Sequence, residues 1–301
     1  MFPLGKPWSL FSGLQACGLT AMTPTIGVFD SGFGGLTVLR ALIQRLPAAR
    51  FAFLGDSARL PYGSKSRRTI ARYAAESARF LVEEQGADYL VIACNTASAL
   101  ALDAIQEAVS VPVIGVIEPG AEAARRASST GDVLVIATDA TVQSHAYAAA
   151  CRARGLRALE KACPLLVPLV EEGWTSHDVT AQVFRIYFGE LMAEAASQTL
   201  TPDTLVLGCT HYPLLKPLIE QAIPASMTAI DSAESAADKL VQQLRQDLGA
   251  LPDPSAGSQA TPSANPVLHC FATDSVEKFE RLGSRFLGRP VGQVQLVDLG
   301  G

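Results

Sequence analysis

The chain has 301 residues, 49% hydrophobic and 18% charged, enough apolar material for one large or two medium α/β cores and too much for a disordered chain. Its 24 basic and 29 acidic residues leave a net charge of −5, which supplies no basic field for nucleic acid or an anionic membrane surface. Six cysteines without C-x-x-C pairing or an even, close framework argue against a zinc centre or a secreted disulfide scaffold, and fit reduced thiols in the cytoplasm.

In residues 1–22 the apolar run is broken by Gly, Pro and polar residues, so a disordered extension is expected rather than a signal peptide, with Met22 an alternative start. No stretch reaches the roughly 18 consecutive apolar residues of a membrane-spanning helix. From Thr25 one theme repeats: a short apolar run, a turn of small residues, then a segment of helical period. The runs are TIGVFD (25–30), RFAFLGD (50–56), DYLVIACNT (88–96), PVIGVIEPG (112–120), GDVLVIATD (131–139) and DTLVLGCTH (203–211). Runs this apolar, alternating with helical stretches such as 67–86, predict strands buried on both faces of a parallel α/β sheet. Ligands of such sheets bind beyond the carboxyl ends of the strands, which is where chemistry is expected. The segment 251–266, rich in Pro, Ser, Gly and Ala, reads as a flexible insertion. A further strand at 266–273 and a helix from Ser275 to about Leu287 follow it.

DSGFGG (30–35) follows the first run and opens a helix. Its glycines let backbone approach a ligand, and the helix N-terminus favours a carboxylate. It is neither the dinucleotide fingerprint nor a P-loop, whose Lys it lacks. Asp30 has two readings, a helix cap or a hydrogen-bond acceptor for a thiol or an ammonium. Pro61-Tyr62-Gly63 is a turn able to offer backbone N–H groups. Thr138 and Thr141 either cap a helix or hold a carboxylate. His211, two residues after Cys209, can tune or relay its proton. Glu171, after an apolar stretch, is either exposed or orients His211. His145, His177 and His269 show no metal-ligand spacing and read as structural or exposed.

DYLVIACNT and DTLVLGCTH are the same design twice: Asp, an apolar strand, a small residue, Cys, hydrogen-bonding residues, then a helix. Their cysteines, Cys94 and Cys209, stand 115 residues apart, about one α/β domain. Buried structural cysteines are the alternative, and that reading is preferred for Cys17, Cys151, Cys163 and Cys270. Two thiols at matched strand ends suit stereoinversion at carbon, which takes a proton from one face and returns one to the other. A thiol of ordinary pKa near 8.5 serves as base or acid, and N–H groups of the following helix favour the thiolate.

Together, IGVFDSGFGGLTVL, GDSARLPYGSKS, VIACNTASA, PVIGVIEPG, ACPLLVPLVEEGW and LGCTHYPLLKP resemble the glutamate racemases of the cofactor-independent aspartate/glutamate racemase superfamily. The likeness runs from about Thr25 to the C-terminus. It implies two facing α/β domains with mainly parallel sheets and an active site in the cleft between them: 23–117 with 230–301, and 118–229. It implies interconversion of L- and D-glutamate without cofactor or metal, supplying peptidoglycan synthesis in the cytoplasm. A homodimer is expected, no nucleic acid or membrane is required, and a cell-wall precursor as activator is left open. Carried onto this sequence, Cys94 serves D-glutamate with Asp30 assisting. Cys209 serves L-glutamate with His211 assisting and Glu171 near it. Substrate is held by Asp30, Ser31, Pro61, Tyr62, Gly63, Asn95, Thr96, Thr138, Thr141, Thr210 and His211. The alternatives are an aspartate racemase, a decarboxylase or hydantoin racemase of the same superfamily, and a non-catalytic protein that binds acidic amino acids.

Overall fold

Burial on both faces is what turns the apolar runs into strands, and the computed structural model describes this for residues 23–249 and 266–300. In chain order the strands are β1 (Thr25–Asp30), β2 (Arg50–Gly55), β3 (Tyr89–Ile92), β4 (Val113–Gly115), β5 (Asp132–Ala137), β6 (Arg157–Ala162), β7 (Thr204–Gly208), β8 (Thr228–Asp231), β9 (Val267–Ala272) and β10 (Val294–Leu296). They form two sheets, ordered β10-β9-β2-β1-β3-β4 and β6-β5-β7-β8, with every pairing parallel. Helices cross between successive strands, as parallel pairing demands. The fold is therefore α/β with two parallel sheets, as expected. The expected extension 1–22, Cys17, and all of the expected insert 251–266 except Pro266 lie outside the described residues.

Alternation along the strands sorts side chains into layers. Ile26 and Val28 of β1 and Leu134 and Ile136 of β5 enter one extended core, while Phe29 and Val135 face two smaller clusters on the opposite sheet faces. Register then decides what emerges at the carboxyl edges. In the first sheet Asp30 pairs with Gly55, and Phe29 with Ile92, so Asp30, Asp56 and the Ala93–Cys94 pair surface side by side. In the second, Ala137 pairs with both Ala162 and Gly208, which brings Thr138, Cys163 and Cys209 to a common edge.

Three strands lay outside both the six runs and the further strand expected at 266–273, which is β9. β6 carries Arg157, Glu160 and Lys161 on a sheet edge, and β8 and β10 are short edge strands, so none has the apolar signature of a doubly buried one. The run 112–120 also divides: β4 ends at Gly115 and a helix, Ile117–Ala127, starts within it. Pro119 is tolerated there because the first helical turn needs no N–H donors. β8 spans the position near Ile230 where the chain was expected to cross back. Among the described residues no helix is long and apolar enough to cross a membrane.

Candidate active site

Two residues past β3, Cys94 leaves the sheet and becomes the N-cap of the helix Asn95–Leu100. Its sulfur accepts from the Ala97 N–H at 3.4 Å, and its thiol donates to Ser31 Oγ at 3.3 Å. Asp30, 1% exposed, lies next to it. Asp30 Oδ2 accepts from the Gly32 N–H at 2.9 Å, while Oδ1 is buried with no hydrogen-bond partner. The helix-cap reading of Asp30 falls away, since Gly35 caps the helix Leu36–Arg45 without side-chain help. Burial pushes the Cys94 thiol up to about 12 and the Asp30 charge adds to it, outweighing the Ser31 and Ala97 hydrogen bonds. The helix N–H groups expected to favour the thiolate are present, but burial outweighs them and favours the thiol. Burial raises the Asp30 carboxyl too, against the opposing pull of His211 and the Gly32 and Gly35 amides.

Cys209 lies one residue past β7 and is followed by a 3₁₀ turn, Tyr212–Leu215, that runs directly into the helix expected there, Lys216–Ala222. Its sulfur sits 3.8 Å from His211 Nδ1, and His211 Nε2 is 3.3 Å from Glu171 Oε1. The exposed reading of Glu171 therefore fails; its other oxygen faces Lys278 Nζ at 3.5 Å. Burial pulls His211 down, but Cys209 and Glu171 together outweigh it and lift the imidazole to about 10. Burial raises Glu171, yet His211 and Lys278 overcome this and hold the carboxyl below its usual range. His211 Nδ1 thus stands beside the Cys209 sulfur, with Glu171 holding the other side of the ring.

The Asp30–Gly35 loop joins the two halves. Ser31 touches Cys94, whereas a Cβ on Gly34 would lie 2.2 Å from Thr210 Oγ1 and 2.8 Å from His211 Nδ1. Two aligned strand ends thus bring the thiols to opposite sides of one loop. Beyond Cys94, the Thr96, Thr138 and Thr141 hydroxyls form a triangle with edges of 3.0 to 3.2 Å. Thr138 occupies the N-cap of the helix Asp139–Ser144, yet its hydroxyl bonds the other two threonines instead of capping. A Cβ on Gly63 would come within 2.9 Å of Thr138, so the Pro61-Tyr62-Gly63 turn closes the same wall. Tyr62 itself is 1% exposed and donates to Asp56 Oδ2, so this turn offers backbone and not the phenol. Asn95, Thr96, Thr141, Thr210 and His211 are all buried around this point, and Pro61 is exposed.

Sequence reasoning missed the buried Asp56, which also takes Arg59 Nε and Thr273 Oγ1, and it missed Lys278 and Tyr147. Asp56 follows an apolar run as Asp30 does, and that repeated strand-end Asp was a usable signal. Lys278 lies more than 100 residues from Glu171, with no local cue. Of the remaining histidines, His145 pairs with Glu160, His177 caps the helix Asp178–Ser197, and His269 is exposed. Cys151, Cys163 and Cys270 are buried free thiols. A cavity of about 890 Å³, lined by Gln106, Glu118, Arg126, Arg154 and Lys239 among others, touches neither Cys94 nor Cys209.

Residues 26–240 match the sequence profile of the Asp/Glu/hydantoin racemase family. A glutamate racemase from Koribacter versatilis (strain Ellin345) is 52% identical over 295 residues, covering 94% of this chain and all of the relative. Among solved structures, a glutamate racemase isoform from Bacillus anthracis aligns with a TM-score of 0.81 at 37% identity, covering 93% of this chain and 98% of its own. A glutamate racemase from Francisella tularensis, solved in complex with D-glutamate, aligns with a TM-score of 0.79 at 34% identity, covering 92% and 98%.

Proposed function

The chain belongs to the Asp/Glu/hydantoin racemase family, and we propose that it interconverts L- and D-glutamate by passing the α-proton between Cys94 and Cys209. The observation that carries the mechanism is the meeting of two strand-end thiols at the Asp30–Gly35 loop, Cys94 against Ser31 and Cys209 against His211, whose Nδ1 a Cβ on Gly34 would touch.

Substrate chemistry fits the free valences of this site. The partnerless Asp30 Oδ1 receives the α-ammonium, a pairing that removes the cost of a buried unbonded carboxylate oxygen. The threonine triangle, Asn95, Ser31, Thr210 and the backbone of the Tyr62–Gly63 turn supply donors for two carboxylates. From L-glutamate, Cys209 as thiolate takes the α-proton: the Cα–H bond breaks, an S–H bond forms, and the electron pair passes into the α-carboxylate. Donors aimed at that carboxylate stabilise the charge that develops. Cys94, standing as a thiol, then protonates the opposite face, leaving its sulfur as the thiolate. D-glutamate runs the same path in reverse, with Cys94 as base. His211 steadies the Cys209 thiolate, Glu171 orients His211, and Asp30 serves the Cys94 side.

In this reading residues 23–117 with 230–301 form one unit and 118–229 the other, the protein is a cytoplasmic homodimer, and its D-glutamate feeds peptidoglycan synthesis. The test is direct: purified protein is incubated with L-glutamate or L-aspartate, with no added cofactor, and followed by circular dichroism. Loss of the glutamate signal to a racemic end point supports the reading. No change with glutamate, or racemisation of aspartate alone, overturns it.

A further inference from the structure

Asn95 follows Cys94 directly and is 4% exposed, so which end of its amide faces the site decides what it can hold. A carboxylate needs the NH2 end, and an amide is free to turn either way unless something fixes it.

Tyr147 fixes it. This residue belongs to the helix Ala146–Arg152, which packs under the second sheet, and its side chain is fully buried. Its hydroxyl donates to Asn95 Oδ1 at 2.7 Å, a contact from one half of the molecule to the other. Burial holds the phenol far above its ordinary range, so it keeps its proton and acts as donor at every working pH. The phenol has little freedom of its own. A Cβ on Gly120 would come within 3.0 Å of the Tyr147 oxygen and ring, and one on Gly208 within 3.0 Å of the ring's other edge. Ser232, directly after β8, flanks the same oxygen. With Oδ1 committed to Tyr147, Nδ2 is the end left over, and among the described residues no hydrogen bond occupies it.

Resting on the racemase reading above, we propose that Tyr147 is a positioning residue: its hydroxyl locks the Asn95 amide with Nδ2 towards the substrate, making Asn95 a dedicated donor to a glutamate carboxylate. The lock also makes carboxylate binding depend on the two halves being docked, because donor and acceptor come from different sheets. Without it, the amide can present its oxygen to the substrate anion, which repels it.

The test is Tyr147→Phe, which removes one oxygen from an otherwise unchanged ring. KM for both glutamate enantiomers is expected to rise about tenfold, the worth of one oriented hydrogen bond to a charged group, with kcat within about threefold. In an Asn95→Ala background the same substitution is expected to change KM less than twofold, because the group it orients is gone. A purely structural role would lower the melting temperature, leave KM in place, and act equally in both backgrounds. Unchanged KM in Tyr147→Phe, or an undiminished effect in the Asn95→Ala background, overturns the inference while leaving the racemase reading intact. Wild-type protein that neither binds nor racemises glutamate overturns both.

Discussion

Gly34 stands so close to Thr210 that any side chain on it would collide with the threonine: a Cβ there would lie 2.2 Å from Oγ1, and 2.8 Å from His211 Nδ1. This contact sets the distance between the loop that serves Cys94 and the loop that carries Cys209. Gly34→Ala therefore has to push the loops apart. A displacement of that size costs on the order of 100-fold in kcat, because proton transfer needs near-contact geometry. Overpacking costs about 1–3 kcal/mol of stability beside it. Racemisation assays and denaturant melts of the variant check both effects.

The Glu171–His211 pair gives stability a pH window. His211 is raised in the folded protein to about 10 from an ordinary 6.5, so its contribution is complete below pH 6.5 and disappears as pH rises through about 10. Glu171 is shifted down, so its share is present above the ordinary carboxylate range and is lost in acid. Glu171→Gln should accordingly destabilise the protein by about 1–2 kcal/mol near pH 7. The gap between variant and wild type should close as pH climbs past 10. Urea denaturation at pH 7 and above pH 10 measures it; a gap that widens with pH contradicts the assignment.

Cys94 should be slow to alkylate in the absence of substrate, because burial and the Asp30 charge hold it as a thiol up to about pH 12. Asp30→Asn removes that charge without changing shape. The alkylation of the Cys94 peptide, followed by mass spectrometry across pH, should then shift to lower pH. An unmoved profile would mean that Asp30 does not act on this thiol.

The hydroxyl triangle predicts a binding defect. Thr138→Val replaces a hydroxyl bonded to Thr96 and Thr141 by a methyl group of equal size. Two partners lose a hydrogen bond, and the substrate loses a donor. KM for glutamate should rise about tenfold or more, with kcat less affected. Steady-state kinetics separates the two.

Much of this site was legible because its chemistry sits at strand ends, and strands buried on both faces announce themselves as apolar runs. Asp30, Cys94, Thr138 and Cys209 each stand within two residues of such an end. What escaped was either edge structure or partnership across the chain. β6 and β8 lie where one flank is open, so polar residues dilute their pattern. Lys278 and Tyr147 act through contacts with Glu171 and Asn95 that only folding brings about. The balance of forces on Cys94 was out of reach for a related reason: the helix N-terminus that favours its thiolate was visible in the sequence, but the depth of burial and the adjacent Asp30 charge that oppose it were not.

The opposed-thiol claim is tested most directly by a reaction that needs only one of the two bases. At equilibrium a racemase treats its enantiomers alike, so Cys94→Ser and Cys209→Ser should both abolish racemisation and cannot be told apart that way. Elimination of HCl from threo-3-chloroglutamate needs a single proton abstraction and separates them. Cys209→Ser, which keeps Cys94, should eliminate from the D-configured analogue; Cys94→Ser, which keeps Cys209, from the L-configured one; and replacing Cys151 or Cys163 should leave racemisation intact. If both active-site variants processed the same enantiomer, or if Cys94→Ser racemised glutamate normally, the two thiols would not be working on opposite faces.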